Sequence, residues 1–417
     1  MHNRLILATF FARGCAWFLR IARSVVSSGT VAIRERPASL LRRRLSFLEH
    51  TFYVVGLTSL TLMHRVSVDG IMCSVERGVS VTERVGRRAM LRTPVCDLLG
   101  VKVPIMQAAI WPATAPKLVA AVSEAGGLGS IGAVFESAES VERQIARVRE
   151  ITARPFAVNH VVPLLDEAAF QATLEAAPEV VSFALGDPAE LVERAHGAGA
   201  KVVHQVHTVG QARRAAELEV DAIIAQGSEA GGQGMALGVG AMTLIPQVAE
   251  AVDPIPVLAA GGVADGRGLA AALVLGAQGA NVGTRFLASE EASADEGWKR
   301  TILGAESEDV VRFEAWEAIF PPAGGGAYAT VPRVLRTPFV EEWLGRTQEA
   351  RREAERLRDE VLSAIRGRTT HELLPFTGQT AGMVHDILPA KEIVERMVAE
   401  AELALKRAGE LSKPSGG

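Results

Sequence analysis

From Val103 onward the chain repeats one unit eight times: a short β-rich apolar run, a glycine-bearing connection and, in most cases, a helical stretch. The runs fall at 104–108, 128–132, 156–159, 180–183, 201–206, 221–225, 256–259 and 279–282. Helical patterns lie between most of them, as at 115–125, 137–151, 188–198, 209–218 and 266–275. Repeated units of this kind predict a parallel sheet buried on both faces. Eight of them in about 180 residues predict an α/β fold of the (β/α)8 TIM-barrel type. An open doubly wound sheet would carry a glycine fingerprint at its first strand-to-helix turn. Here the first strand ends Met106-Gln107-Ala108-Ala109, without one.

Composition bounds the rest. A hydrophobic fraction of 48% and a charged fraction of 22% suit a globular domain in water, and sparse aromatics (5%) suit tightly packed α/β units. The net charge of −4 argues against nucleic-acid binding. That charge is unevenly spread: residues 1–89 hold 14 Arg, no Lys and 5 acids, a net of +9 against −13 for the remainder. The apolar runs at 5–12 and 51–63 are too short to span a bilayer. Residues 1–89 are therefore expected to be an unstructured Arg-rich extension, or sequence upstream of a true start at Met90; a targeting peptide and a folded module are the other readings. Residues 90–295 would form the barrel, and 296–417 a mostly helical segment packed on it. Within that segment, 321–326 reads as a flexible break, 349–361 as an exposed, charge-laced helix and 390–404 as an amphipathic helix returning to the barrel wall. Residues 225–240 read as a long glycine-rich loop. Cys15, Cys73 and Cys96 lack paired spacing, so neither a disulfide framework nor a zinc site is expected, and the setting is the reducing cytoplasm.

The last two strands end in Ala259-Ala260-Gly261-Gly262 and Asn281-Val282-Gly283-Thr284. Glycines there let backbone N–H groups approach a phosphate, and the loops after strands seven and eight of such barrels form a phosphate site. Other strand ends carry Gln107, Asn159, Ser182, His204, Gln205, His207, Gln226 and Glu229. Carboxamides outnumber carboxylates, which suits a neutral heterocycle rich in donors and acceptors. The same groups can equally cap strand ends or bond loop backbone.

Read in order, Pro104-Ile105-Met106-Gln107, Ala125-Gly126-Gly127-Leu128-Gly129, Pro155-Phe156-Ala157-Val158-Asn159, Val180-Val181-Ser182-Phe183, Gln226-Gly227-Ser228-Glu229-Ala230-Gly231-Gly232, Ala259-Ala260-Gly261-Gly262 and Gly283-Thr284-Arg285-Phe286 resemble the motifs of the nitronate monooxygenases, formerly 2-nitropropane dioxygenases. The likeness covers about residues 95–290, and the stretch from Gly378-Gln379-Thr380 through Pro389-Ala390 is similar to the family's C-terminal portion. It implies FMN at the C-terminal mouth of the barrel, with Asn159, Gln226 and Gly231 at the flavin. Gly261, Gly262, Asn281, Val282, Gly283 and Thr284 would hold the phosphate end, and Gln107 would meet the ring's polar edge. It also implies a nitronate and O2 as reactants, and a homodimer. The sequence departs from the family at Gln233, where many relatives carry a histidine taken as the base. A carboxamide donates a hydrogen bond to an anion but takes up no proton near neutral pH. A nitronate is already an anion, so its oxidation needs no base.

His204 and His207 are candidates to replace that histidine. Three residues apart on a regular strand, they face opposite sides, and His207, nearer the strand's C-terminal end, is the better candidate for the reaction side. Arg285 would add positive potential or pair with a neighbouring acid. Competing readings are an FMN-dependent NAD(P)H reductase of quinones or enoyl thioesters, a flavin-free phosphate-binding isomerase or lyase, and a non-enzymatic binding module.

Overall fold

The protein is described here by a computed structural model over residues 91–235, 238–321 and 330–411. The expectations for residues 1–89, and most of the break at 321–326, lie outside the described residues. Among the described residues eleven strands occur: β1 (Ile105–Gln107), β2 (Gly129–Gly132), β3 (Phe156–Val161), β4 (Val180–Ala184), β5 (Lys201–Val206), β6 (Ala222–Gln226), β7 (Gly232–Met235), β8 (Val257–Ala260), β9 (Gly279–Val282), β10 (Val310–Arg312) and β11 (Thr330–Leu335). All but β7, β10 and β11 form one parallel sheet in the order β1-β9-β8-β6-β5-β4-β3-β2. A parallel bridge between Met106 and Leu128 joins its two ends, so the sheet is a closed eight-stranded barrel.

Local chemistry sets the helix starts. Ser137, Asp166, Thr208 and Asp265 each accept a backbone N–H three residues on, satisfying a donor that the first turn leaves unpaired. The helix Glu167–Ala176 fills the gap between β3 and β4, and Ala241–Val252, with Pro246 inside it, fills that between β7 and β8. The short helix Pro94–Leu98 sends Val95 and Cys96 among Val180, Ala222 and other lumen residues at the strand beginnings, closing the bottom of the barrel.

The C-terminal segment is mostly helical but also contributes two strands. β10, β11 and β7 form a three-stranded antiparallel sheet, so the loop at 225–240 contains a strand that pairs with sequence nearly a hundred residues away. The stretch at 349–361 is two helices, Thr347–Arg352 and Ala354–Gly367, and the second is amphipathic rather than exposed, burying Leu357 and Val361 beside Trp343. The last helix, Ala390–Leu411, packs on Gly266–Val274 and Pro116–Glu124 through Ile393, Val394 and Met397. Among the described residues no helix is long and apolar enough to cross a membrane.

Candidate active site

Side chains alternate across each barrel strand, so one set enters the lumen and the other meets the helices. Low in the lumen this set is apolar, with Met106, Ala157, Val180, Val203, Ala222 and Leu258 in one cluster. At the C-terminal ends the same faces turn polar: Asn159 follows Ala157, Ser182 follows Val180, Gln205 follows Val203, and Gln226 follows Ile224. Above this polar layer lies a cavity of about 220 Å³. Its polar side is Ser130, Asn159, Ser182, Gln205, Gln226, Gln233, Asn281 and Thr284; its apolar side includes Trp111, Phe135, Leu164, Leu185, Trp316 and Phe376.

Six residues expected from the sequence come together around this cavity: Asn159, Gln226, Gly231, Gln233, Asn281 and Thr284. Asn159 and Ser182 are register partners on β3 and β4, and Asn159 Nδ2 donates to Ser182 Oγ at 3.0 Å. Gln226 Nε2 donates to the Gln233 carbonyl at 2.8 Å, tying β7 down over the barrel. The Gln233 carboxamide oxygen accepts from Thr330 Oγ1 at 3.0 Å, which leaves its NH2 as the group with donors to offer. Thr284 Oγ1 accepts from the Gly378 N–H at 3.0 Å and keeps its own O–H as a donor. Two buried polar atoms of the lining have no partner, Asn281 Oδ1 and Ser130 Oγ.

The glycines act in two ways. Gly261 and Gly262 have φ of +83° and +77°, a left-handed backbone that L side chains rarely adopt. A Cβ at Gly262 would enter open space, with Glu229 Oε1 the nearest atom at 4.0 Å. At Gly231 the constraint is close approach, since a Cβ there would lie 2.5 Å from Gly378 N and 2.6 Å from Thr377 C. Gly283 precedes the short helix Thr284–Leu287.

Other expected residues lie elsewhere. Gln107 does not line the cavity: it is buried, its Oε1 accepts the Ser130 N–H at 3.0 Å and its Nε2 donates to the Ala108 carbonyl. It bonds across the β1–β2 seam, where backbone pairing is reduced to a single bridge. The Val282 side chain points outward among Leu118, Leu269 and Ile393. His207 follows the lumen parity of Gln205, but β7 lies over it. It borders a separate small pocket of about 10 Å³ shared with Gln226, Arg312 and Arg333, its Nε2 lacks a partner, and burial pushes its pKa down to about 4. His204 faces the helices, bonded through Nδ1 to the Phe183 carbonyl, and burial likewise lowers it to about 4. Arg285 pairs with Asp386 at 2.7 Å, the structural alternative, and does not line the cavity. Glu229 serves the fold, both its oxygens accepting from Ala241 N at the start of a helix.

Some of the lining had not been assigned from sequence. Ser182 and Gln205 stood among the polar strand ends, and counting two residues up from the lumen-facing Val180 and Val203 would have selected them. The aromatic wall carried no such signal, because Trp111, Phe135, Trp316 and Phe376 come from loops and from the C-terminal segment. Trp111 and Phe135 pack edge to face at 5.1 Å, as do Trp316 and Phe376 at 5.2 Å. Among the described residues of the lining there is no Asp, Glu, His, Lys or Arg. Such a cavity can orient and desolvate a bound molecule, but it holds no side chain that exchanges a proton near neutral pH.

A family model described as nitronate monooxygenase matches residues 92–400. The chain is 35% identical over 267 residues to a probable nitronate monooxygenase of Staphylococcus saprophyticus subsp. saprophyticus, covering 53% of this chain and 75% of that protein. A probable nitronate monooxygenase of Staphylococcus aureus is 34% identical over 291 residues, covering 59% and 79%. Among solved structures, FabK from Thermotoga maritima is similar with a TM-score of 0.70 at 33% identity, covering 77% of this chain and 99% of that one. The nitroalkane oxidase from Streptomyces ansochromogenes is similar with a TM-score of 0.65 at 29% identity, covering 75% and 99%. The match to the family model over most of the chain, on a closed barrel with a polar mouth, makes this protein an oxidoreductase that belongs to the nitronate monooxygenase family.

Proposed function

We propose that the protein binds FMN in the barrel mouth and oxidises alkyl nitronates with O2 to carbonyl compounds and nitrite. The observation that carries this reading is a cavity rich in carboxamides and, among its described residues, without an ionisable side chain. A reaction that began by removing a carbon-bound proton would need a base there; a nitronate arrives already deprotonated.

The residues suit the cofactor. Asn281 Oδ1 and Ser130 Oγ are buried and unpartnered, the state expected of groups that meet a polar ligand. Asn159, Gln226 and Gly231 would flank the flavin, while Gly261, Gly262, Asn281, Gly283 and Thr284 would hold its phosphate end, with the open left-handed turn at Gly262 giving the closest approach. Val282 would contribute backbone only. Bound FMN supplies the two-electron redox chemistry and the reaction with O2. The protein's part is to hold the anion and exclude water: the Gln233 NH2 donates to a nitronate oxygen, and the aromatic side desolvates the carbon chain.

NAD(P)H-driven reduction of a quinone or enoyl thioester is the second reading, supported by the apolar wall and by the likeness to FabK. Anaerobic mixing separates the two. A nitronate is expected to bleach the flavin within the time of turnover and NADH is not; bleaching by NADH alone would favour the reductase.

A further inference from the structure

Arg285 is buried and directly follows Thr284, which lines the cavity, yet its own side chain turns away into the C-terminal segment. Nη1 pairs with Asp386 Oδ1 at 2.7 Å, and Nη2 donates to the carbonyls of Asp386 at 2.7 Å and Ala288 at 3.0 Å. A planar guanidinium that holds both the carboxylate and the backbone of one residue fixes that residue's position and orientation. The same segment holds Thr284 itself, whose Oγ1 accepts the Gly378 N–H at 3.0 Å. Arg285 is costly to bury, and its partners offset that cost only while they stay in place. A second cation, Arg396, lies 3.2 Å from Asp386 Oδ2, so the Asp386 carboxylate also separates two positive charges. The stretch being held is short: Thr284–Leu287 is a helix of four residues after Gly283, whose φ of −104° and ψ of −80° fit neither strand nor helix. So short a helix does not keep its shape in water without outside contacts.

We infer that Arg285 is a positioning residue for the cofactor's phosphate. Its clasp on Asp386 sets the Gly283-Thr284 turn against the C-terminal segment, so that phosphate retention and docking of residues 378–386 stabilise each other. This rests on the FMN reading above. The clasp acts through Thr284: a hydroxyl has one proton to give, and accepting the Gly378 N–H leaves that proton for a ligand. The Gly378 peptide has little room to shift, since a Cβ on it would lie 2.8 Å from Gly231 N. Such coupling is reciprocal, so a ligand that favours the docked segment is bound more tightly by the same factor.

The test is at Asp386, which is half-exposed and does not line the cavity. The full chain, stripped of any flavin, is titrated with FMN and with riboflavin, the same ring without the phosphate, and binding is followed by flavin fluorescence. Asp386→Ala should weaken FMN about tenfold, the effect of one hydrogen bond to a charged group, and leave riboflavin within about twofold. Asp386→Asn keeps an oxygen for Arg285 Nη1 and should stay within about threefold of the wild type for FMN. Saturating FMN, but not riboflavin, should slow protease cleavage within 378–386 of the wild type. Equal weakening of both flavins by Asp386→Ala would make the clasp a support of the fold alone and overturn the inference, as would FMN binding that is unchanged or tighter. A wild type that binds riboflavin as tightly as FMN would overturn it too, while leaving a flavin site in place. A wild type that binds neither flavin would reject the FMN reading itself, and the inference with it.

Discussion

The barrel rim and the C-terminal segment both build the cavity, but by different means. The rim contributes through periodicity: every second residue of a strand enters the lumen, so its polar ring is a consequence of register. The C-terminal segment contributes through docking. Phe376 and Trp316 reach the cavity from outside the barrel, and Gly378 bonds Thr284 while Gln379 N donates to the Glu229 carbonyl at 2.9 Å. A repeated pattern can place a ring of side chains without distant help. A wall assembled by docking depends on close backbone approach at a few points.

The largest test of this contrast is at Gly262, on the rim. Gly262→Leu would force a branched side chain into a left-handed turn and into the space assigned to phosphate. FMN retention should fall by about a hundredfold or more while the barrel still folds, as read by equilibrium dialysis beside circular dichroism. Unchanged retention would remove the rim from the cofactor site.

Acid should next distinguish the two regions. His160, His204 and His207 belong to the barrel wall, and burial holds each near a pKa of about 4. In the unfolded chain histidine titrates near 6.5. The folded state therefore binds fewer protons between these values, so the stability from neutral burial is full above about 6.5 and is lost as pH falls toward 4. The contribution is at most of order 3 kcal/mol per histidine. Hydrogen exchange at pH 7.5 and pH 5 should show protection lost first in β3 and β5; earlier loss in the C-terminal helices would contradict this.

Gly231→Ala tests the join between the regions. The added Cβ meets backbone at Gly378 and Thr377, not a movable side chain. Overpacking of this kind should cost about 2 kcal/mol and expose the segment around 375–379 to protease. The smallest effect is expected at Gln233, whose carboxamide is held by Thr330. Gln233→Ala should lower turnover of a preformed nitronate about tenfold or less, the effect of one neutral hydrogen bond. A much larger loss would give that side chain a further role.

The same contrast explains what the sequence revealed. All eight barrel strands were legible because short apolar runs bounded by glycine are a local signal, as at Val180–Ala184. Asn159, Gln226 and Asn281 were legible because they end such runs. β7 was not, since Gly232-Gln233-Gly234-Met235 has no strand propensity of its own and becomes a strand only by pairing with Thr330–Arg333. Gln107 sits at a strand end like the others, and only the incomplete pairing of β1 with β2 diverts its carboxamide to the seam. Phe135 and Leu185 gave no sign of left-handed backbone, because neither is a residue type that favours it.

The proposed chemistry requires that this barrel mouth hold a flavin nucleotide. Native mass spectrometry of the purified full chain, followed by denaturation and identification of what is released, tests it most directly. FMN is expected at about one per chain, retained by the wild type and lost from Gly262→Leu. A chain that carries no flavin, and takes up none after incubation with FMN, would contradict it.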